Sequence, residues 1–524
     1  MRQLKKNKNY LIKIVTFATM ALCCLMTVSL KAQNQQQDST QGKKIDLDEV
    51  VVSASRANDK IPVTYAQLEK KDIQGVNLGQ DIPILLNFLP SVVATSFDGT
   101  GVGPTDYRIR GAENSRINVT INGIPYNDAD TQTTFFVNLQ DFASSVENIQ
   151  IQRGVGTSTN GAGAFGASIN ILTDNVKEDA FGQISSSIGS FGTFKNTVRF
   201  GTGLIDNHFA FSGRLSKIDS DGYVDRAFSD LRSYFLDGVY KDDNTLIKAV
   251  VFGGEEITGL SFVGLNAAGL ETDRKFNNDG LFLNEDGNVQ FYDRHTDNYK
   301  QDHFQLHLTQ QFDENWTGNI SMHFTNSRGF FEQYIESDPN FFNPDFSFYG
   351  LPTFESGGET IDRSDLTTRR HLNSDFYGTV FSLLYNGDKL DATFGGAWNR
   401  YDGEQFGEVT AVQFGELPSF PFRFYDNGTD KKDFNVYAKA SFQLNEKLSL
   451  FGDLQLRSIN YEAAGSFFTF TEIGNLDVDK EYTFFNPKAG ITYKLNSQNS
   501  IYFSYARGNR EPSRVDFETG DPES

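Results

Sequence analysis

The chain has 524 residues, a formal net charge of −21 and 47 glycines, and its 48 Phe and 21 Tyr far outnumber its two Trp. A negative charge of this size argues against nucleic acid as a partner, because nucleic-acid affinity depends on cationic side chains. Both cysteines, Cys23 and Cys24, lie near the N-terminus, so a chain cleaved after them has no disulfide, no Cys-ligated zinc and no thiol nucleophile. Aromatic-rich strands and glycine turns are expected instead.

Residues 1–32 have the order of a secretory signal peptide. A start rich in Lys and Arg precedes the uncharged apolar run 14–30, and a polar stretch follows Ala32. A membrane anchor and a lipoprotein signal ending at Cys23 are the alternatives. Further along the chain, no apolar run is long enough for a membrane-spanning helix.

A short leader and a mixed domain come next. Residues 33–60 are expected to form a flexible leader, because 33–44 lack apolar periodicity and only a short apolar patch at 45–53 follows. Residues 61–175 combine helix and strand patterns and predict a compact α+β domain. The clearest elements are a helix over 81–90 and strands over 116–123 and 146–154.

Residues 176–524 have a different character, in which segments of about ten residues alternate between apolar and polar side chains. The clearest alternation is in 434–444 and 448–456. Six short polar turns separate these segments, at 205–207, 242–244, 313–315, 386–388, 445–447 and 496–499. Long connections lie between the hairpins, at 255–297, 328–372 and 402–432. This asymmetry predicts a transmembrane antiparallel β-barrel, although a soluble sandwich shows the same alternation.

The number of strands suggests that the barrel is incomplete. About 13 segments can be counted, whereas bacterial barrels normally have an even number. The chain also ends in a polar stretch, 516–524, without an amphipathic last strand. Because an open sheet would leave unpaired backbone groups in lipid, we interpret the sequence as C-terminally truncated and expect that it does not insert by itself.

Several motifs together resemble TonB-dependent outer-membrane receptors. The plug domain of that family is matched by Leu89-Pro90-Ser91-Val92, Tyr107–Gly111, Val119–Pro125 and Val146–Gly154, and its barrel by 486–490 and 502–512. The resemblance implies a mainly β fold of about 13 of an expected 22 strands, with the N-terminal α+β plug inside. It also implies outer-membrane lipid, TonB and the inner-membrane energising complex as partners. It implies localisation in the cell outer membrane and no cofactor.

The apolar patch within the leader resembles the TonB box of this family. Its β-prone valines suit addition as a strand to an exposed sheet edge of TonB. The alternative is an ordinary first strand of the plug. The residues expected to bind TonB are Asp46, Leu47, Asp48, Glu49, Val50, Val51 and Val52.

Cations in the predicted plug suggest an ionic latch. Arg108 and Arg110 are two residues apart and would share one face of a strand. With Arg116 and Arg153 they are expected to pair with Glu147 or with barrel carboxylates, because an unpaired buried charge is costly. Solvated surface is the alternative interpretation for each of them.

Three histidines form a candidate metal site. Placing the 313–315 turn at a hairpin tip puts His323 opposite Gln305 and diagonal to His303 and His307. In that register all three face the lumen and would be able to ligate a metal ion or haem iron. Polar lining of the lumen is the alternative.

The function that follows is energised import rather than catalysis, because the sequence has no recognisable nucleophile elbow, zinc-protease motif or acid–base pair. The aromatic segment 341–349 suits either ligand capture or the interfacial girdle. The absence of an extra domain before the TonB box favours an iron–siderophore complex or haem as cargo. The alternatives are a cobalamin-like vitamin, another metal, a glycan, a ligand-sensing receptor on the same fold, or a passive porin.

Overall fold

The computed structural model describes residues 56–58, 60–160, 165–284, 286–337, 345–469, 472–496 and 498–520. Its first part is an α+β domain, as predicted, and contains ten strands and helices. They are β1 (Thr64–Glu69), α1 (Lys70–Gln74), α2 (Ile82–Leu86), β2 (Val92–Ser96), β3 (Thr105–Ile109), β4 (Ala112–Glu113), β5 (Ile117–Ile121), β6 (Ile124–Pro125), β7 (Val146–Arg153) and β8 (Ala167–Thr173). Short 3₁₀ turns lie at Asn114–Arg116, Phe136–Asn138, Phe142–Ser145 and Ser158–Asn160.

These elements form two sheets around one core. The larger sheet has the order β1-β7-β8-β5-β6, with only β5 and β8 parallel, and the smaller one has the order β2-β3-β4. Alternate isoleucines and valines of β5, β7 and β8 lie in the buried core with Leu85 and Leu86 of α2. The predicted helix is confirmed but shorter, with Asp81 accepting a hydrogen bond from the Ile82 amide at its N-terminus.

The second part is an antiparallel sheet of 13 strands in sequential order, called the wall below. This number confirms the count made from the sequence. The strands are β9 (Phe181–Ile188), β10 (Phe194–Gly201), β11 (Phe209–Ser220), β12 (Ser229–Lys241), β13 (Thr245–Gly259), β16 (Thr296–Gln311), β17 (Trp316–Ile335), β20 (Leu366–Asn386), β21 (Leu390–Val412), β22 (Phe422–Gln443), β23 (Leu448–Phe468), β24 (Ile473–Lys494) and β25 (Ser500–Ala506). Outside the wall lie α3 (Ala267–Thr272), two small hairpins and α4 (Arg514–Thr519); the hairpin strands are β14 (Leu281–Leu283), β15 (Val289–Phe291), β18 (Phe354–Ser356) and β19 (Glu359–Ile361).

All six predicted turns join neighbouring strands of the wall. The long connections, however, are shorter than expected, because the strands continue beyond the alternating segments. The segment 402–432 was predicted as a connection, but β21 continues to Val412 and β22 begins at Phe422. Among the described residues, no helix has both the length and the hydropathy needed to cross a bilayer.

The two faces of the wall differ in the way that the alternation predicted. On β23, Leu450, Leu454 and Leu456 are exposed, whereas Asp453 and Gln455 between them are buried. The polar face is buried because the N-terminal domain lies against it. Phe235, Val250 and Phe252 of the wall even join the core of that domain. The fold is thus an apolar outer surface around a polar lumen that the N-terminal domain fills.

Candidate functional site

The contact between the N-terminal domain and the wall is organised around buried carboxylates of the domain. Asp141 lies 2.6 Å from the Lys195 ammonium on β10 and 3.3 Å from the Arg214 guanidinium on β11. It also accepts hydrogen bonds from Thr197 and Ser216. Burial alone would raise the pKa of Asp141, but Arg214 and Lys195 outweigh it and hold that pKa well below its usual range. Asp141 is therefore ionised and paired.

A second carboxylate contact lies where the domain meets the start of the wall. Asp174, just after β8, forms ion pairs with Lys70 of α1 and with Arg199 of β10. Its backbone carbonyl accepts a hydrogen bond of 2.9 Å from Lys248 of β13. Through Asp174, the end of β8 therefore contacts two strands of the wall, β10 and β13.

A third contact joins one loop of the domain to the last described segment of the chain. Asp130 accepts a hydrogen bond of 2.7 Å from the Tyr461 hydroxyl and lies 3.8 Å from Arg514 of α4. Close by, Glu511 lies 2.6 Å from Lys431 and 2.7 Å from Arg457. The segment between β25 and α4 is therefore held inside the lumen.

The predicted latch residues do not form these contacts, and that part of the latch hypothesis is corrected. Arg108 pairs at 3.5 Å with its neighbour Glu113, and both side chains are more than half exposed. Arg110 is exposed and has a φ of 53°, so it lies in a turn after β3 and does not share a strand face with Arg108. Glu147 pairs with Lys70, and Arg153 donates a hydrogen bond to the Pro90 carbonyl. Arg116 is also exposed.

The histidine hairpin has the predicted register, with Gln305 opposite His323. The metal-site interpretation is nevertheless not supported, because no group of three or more His, Cys, Asp or Glu side chains able to hold a metal ion occurs among the described residues. Ring nitrogens of His303, His307 and His323 contact Gln301, Gln305 and Asn399 at 3.0, 3.2 and 2.9 Å.

Two of these histidines instead support contacts with the N-terminal domain. Gln301 accepts a hydrogen bond of 3.1 Å from the Tyr126 hydroxyl, and Gln305 accepts one of 3.0 Å from Asn122. Because His303 and His307 contact these same glutamine oxygens, they orient the acceptors that the domain uses. The sequence pattern pointed to the histidines and gave Gln305 only as the residue opposite His323, so the acceptor role of the two glutamines was not predicted.

A cavity of about 350 Å³ lies on the long-connection side of the N-terminal domain. Its aromatic lining includes Phe97, Tyr126, Phe262, Tyr299, Phe331 and Tyr401, and its carboxylates are Asp106, Asp128, Glu256 and Asp297. Arg514 also lines the cavity and has Asp130 and Glu518 as ion-pair partners. Aromatic walls with a few converging polar groups are typical of a small-molecule site.

The structure describes only part of the aromatic segment 341–349. Residues 341–344 lie outside the described residues. Phe346 and Tyr349 are buried in a cluster with Leu351, Leu366 and Val409 on the long-connection side. These two rings therefore pack the connection against β20 and β21. The predicted TonB-binding residues 46–52 and the predicted signal peptide also lie outside the described residues.

Beneath the cavity, Asp81 makes the stability of the N-terminal domain depend on pH. Burial raises the pKa of Asp81 to about 7, with hydrogen bonds from Thr105 and the Ile82 amide acting in the opposite direction. The folded state therefore binds the Asp81 proton more tightly than the unfolded state does. Its stability should fall between about pH 4 and pH 7, by on the order of 4 kcal/mol.

The variant Asp81→Asn is expected to remove this slope, because its side chain does not titrate; its amide oxygen can accept from the Ile82 amide, and its NH2 group can donate to the Thr105 hydroxyl. The measurement is the denaturation midpoint of both proteins in detergent at several pH values from 4 to 8. Parallel profiles for the two proteins would contradict the assignment of the slope to Asp81.

Comparison with known proteins decides the family. A model described as "TonB dependent receptor-like, beta-barrel" matches residues 239–521, more than half of the chain, and one described as "TonB-dependent Receptor Plug Domain" matches residues 57–168. The chain belongs to the TonB-dependent receptors. The N-terminal domain is the receptor plug, and the wall is part of the receptor β-barrel.

Solved TonB-dependent receptors share this fold. The ferric-catecholate import receptor Fiu from E. coli K12, in its open form, aligns with a TM-score of 0.62 and 15% identity, covering 86% of this chain and 70% of Fiu. The ferric yersiniabactin uptake receptor FyuA from Yersinia pestis aligns with a TM-score of 0.63 and 12% identity, covering 85% of this chain and 64% of FyuA. The copper transporter OprC aligns with a TM-score of 0.64 and 12% identity, covering 86% of this chain and 65% of OprC.

One curated protein is similar in sequence over a shorter stretch. The probable TonB-dependent siderophore receptor PirA of Acinetobacter baumannii is 24% identical over 180 residues, which are 31% of this chain and 24% of PirA. The matched part thus spans about a quarter of PirA and about two thirds of the solved receptors named above. At these identities the solved structures establish the fold alone.

Proposed function

We propose that this TonB-dependent receptor imports an iron–siderophore complex or haem across the cell outer membrane, driven by TonB and the inner-membrane complex that energises it. The observation that carries the proposal is the aromatic cavity of about 350 Å³ between the plug and the wall. The plug closes the lumen beneath this cavity. Cargo bound in the cavity therefore passes inward only when the plug moves.

The similar proteins support iron as the cargo. Fiu, FyuA and PirA are named for ferric-catecholate import, ferric yersiniabactin uptake and siderophore reception. OprC, named as a copper transporter, has a comparable TM-score and keeps another metal as the second candidate. In each case the proposed activity is transport and not catalysis.

The plug contacts suggest how transport begins. The patch Asp46–Val52 is proposed to bind TonB by strand addition. The first described strand that follows the patch along the chain is β1. Among the described strands, β1 is an edge strand of the plug sheet and pairs with β7 alone. A pull on the patch would therefore act first on an edge of the plug and not on its core.

Deleting residues 45–53 tests the proposal. Iron-starved cells that express the full-length receptor with this deletion should still bind the cargo but lose its uptake, because the plug can no longer be pulled. The assay uses ⁵⁵Fe supplied as a ferric catecholate, as ferric citrate or as haemin. Deletion of residues 33–41, nine residues of the leader, is the matched control and should leave uptake unchanged.

Each result has a distinct meaning. Uptake that survives deletion of 45–53 would indicate a passive pore and would overturn the proposal of energised import. Failure of the full-length receptor without the deletion to take up any of the three iron sources would overturn the iron assignment and favour another metal.

A further inference from the structure

Two carboxylates on neighbouring strands lie together in the wall of the cavity. Glu256 on β13 is opposite Tyr299 on β16, and Asp297 lies two residues from Tyr299 along the same face. Cross-strand diagonals of this kind are roughly 7–8 Å long. Both residues line the cavity and lie near the ends of their strands that lead into the long connections.

Glu256 is buried without a partner for its charge. Its side chain is 1% exposed, and its Oε2 atom has no hydrogen-bond partner. The charged groups that act on it are themselves carboxylates, Asp297 and Asp81. Burying an unpaired carboxylate costs several kcal/mol, so this position requires a cation or a proton.

Two arginines lie on the surrounding elements, and neither compensates the charge of Glu256. Arg370 on β20 acts on Asp297, and its guanidinium carbon lies 5.7 Å from the ring centroid of Phe331 and 5.5 Å from that of Phe468. Arg514 has ion-pair partners in Asp130 and Glu518. Neither arginine is among the groups that act on Glu256.

The remaining walls of the cavity also suit a cation. Tyr126, Tyr299, Phe331 and Tyr401 line the same space as the two carboxylates. Faces of aromatic rings attract ammonium groups, most strongly where water is excluded. The geometry does not suit a bare metal ion, because no cluster of three or more acidic, His or Cys ligands exists within the described parts of the chain.

We propose that the Glu256–Asp297 pair binds the protonated amine or ammonium group of the imported ligand. The assignment rests on the proposed function, since it takes this cavity to be the cargo site. It adds a chemical class: the ligand carries a basic nitrogen that enters between the two carboxylates while its apolar part contacts the aromatic walls. The Glu256 charge then gains the partner that the protein itself does not supply.

The test is fluorescence anisotropy of the detergent-purified protein with two probes, dansyl-labelled 1,5-diaminopentane and its hydroxyl analogue. The amine should bind about 10-fold more tightly than the alcohol or better. The variants Glu256→Gln and Asp297→Asn should each reduce this preference to about 2-fold or less. Glu255→Gln, on the exposed face of the same strand, is the matched control and should keep the full preference.

Equal binding of the two probes by the unmodified protein would overturn the proposal. An amine preference that Glu255→Gln lowers as much as Glu256→Gln would do the same. Because the binding assay needs no energised membrane, its failure is independent of the result for the 45–53 deletion. Loss of iron uptake in that deletion together with equal probe binding would keep the importer and remove only the amine site.

Discussion

Replacing Asp141 with alanine should lower the free energy of unfolding of the plug by about 3–5 kcal/mol. The carboxylate is the shared counter-ion of Lys195 and Arg214, whose side chains are 4% and 2% exposed. Without it, two buried cations on the wall lose their ion-pair partner. The measurement is hydrogen exchange of the β7 amides, which reports the opening free energy of the plug sheet.

An exposed ion pair on β11, the strand that carries Arg214, supplies the control. Lys217 and Asp219 lie 2.8 Å apart on β11, with side chains 44% and 43% exposed. Asp219→Asn should change the opening free energy by less than about 1 kcal/mol, because exposed pairs contribute little. Combining Asp141→Leu with Lys195→Met and Arg214→Met should recover most of the loss. A loss below about 1 kcal/mol for Asp141→Ala would show that this contact does not hold the plug.

Replacing Glu511 with alanine should release the segment that connects β25 and α4. Burial would raise the pKa of Glu511, but Arg457 and Lys431 outweigh it and lower that pKa well below the usual range. Removing the carboxylate takes away the ion-pair partner of Lys431, whereas Arg457 keeps Asp433. A cost of about 3 kcal/mol or more is expected for breaking a buried pair in this way.

The release can be followed by the rate of trypsin cleavage after Arg510 and Arg514. Cleavage should accelerate by about 100-fold, the factor that about 3 kcal/mol gives when cleavage follows the population of the open form. Glu481→Ala, an exposed carboxylate on β24, is the matched control and should leave the rate unchanged. Equal cleavage rates in the two variants would refute the role of Glu511.

The strands of the wall were predictable because side chains on the two faces meet different surroundings. Leu454 and Asp453 are neighbours in sequence, yet one is exposed on the outer face and the other is buried against the plug. The pattern fails beyond the alternating zone, where β21 and β22 extend through 402–412 and 422–432. Backbone pairing continues there without an apolar face to mark it.

The partners of the plug charges were not predictable from the sequence. Asp141 and Arg214 are 73 residues apart, and Asp130 and Tyr461 are 331 residues apart. The sequence shows which residues carry charge, but only the folded lumen shows which of them meet. The latch hypothesis assigned the cations to the plug, whereas the buried pair at Asp141 has its carboxylate on the plug and its cations on the wall. The histidine register was correct because it depends only on hairpin geometry.

The position of β1 has a mechanical consequence. The first residue of β1, Thr64, contacts Tyr502 near the short-turn end of β25. Lys70 follows the last residue of β1 and pairs with Asp174, which also pairs with Arg199 near the short-turn end of β10. β1 therefore lies across the lumen axis and not along it. A strand pulled at right angles to its length gives up its hydrogen bonds one after another. Tension applied through the N-terminal segment would peel β1 from β7, starting at Thr64, before it loads the Asp141 and Asp130 contacts.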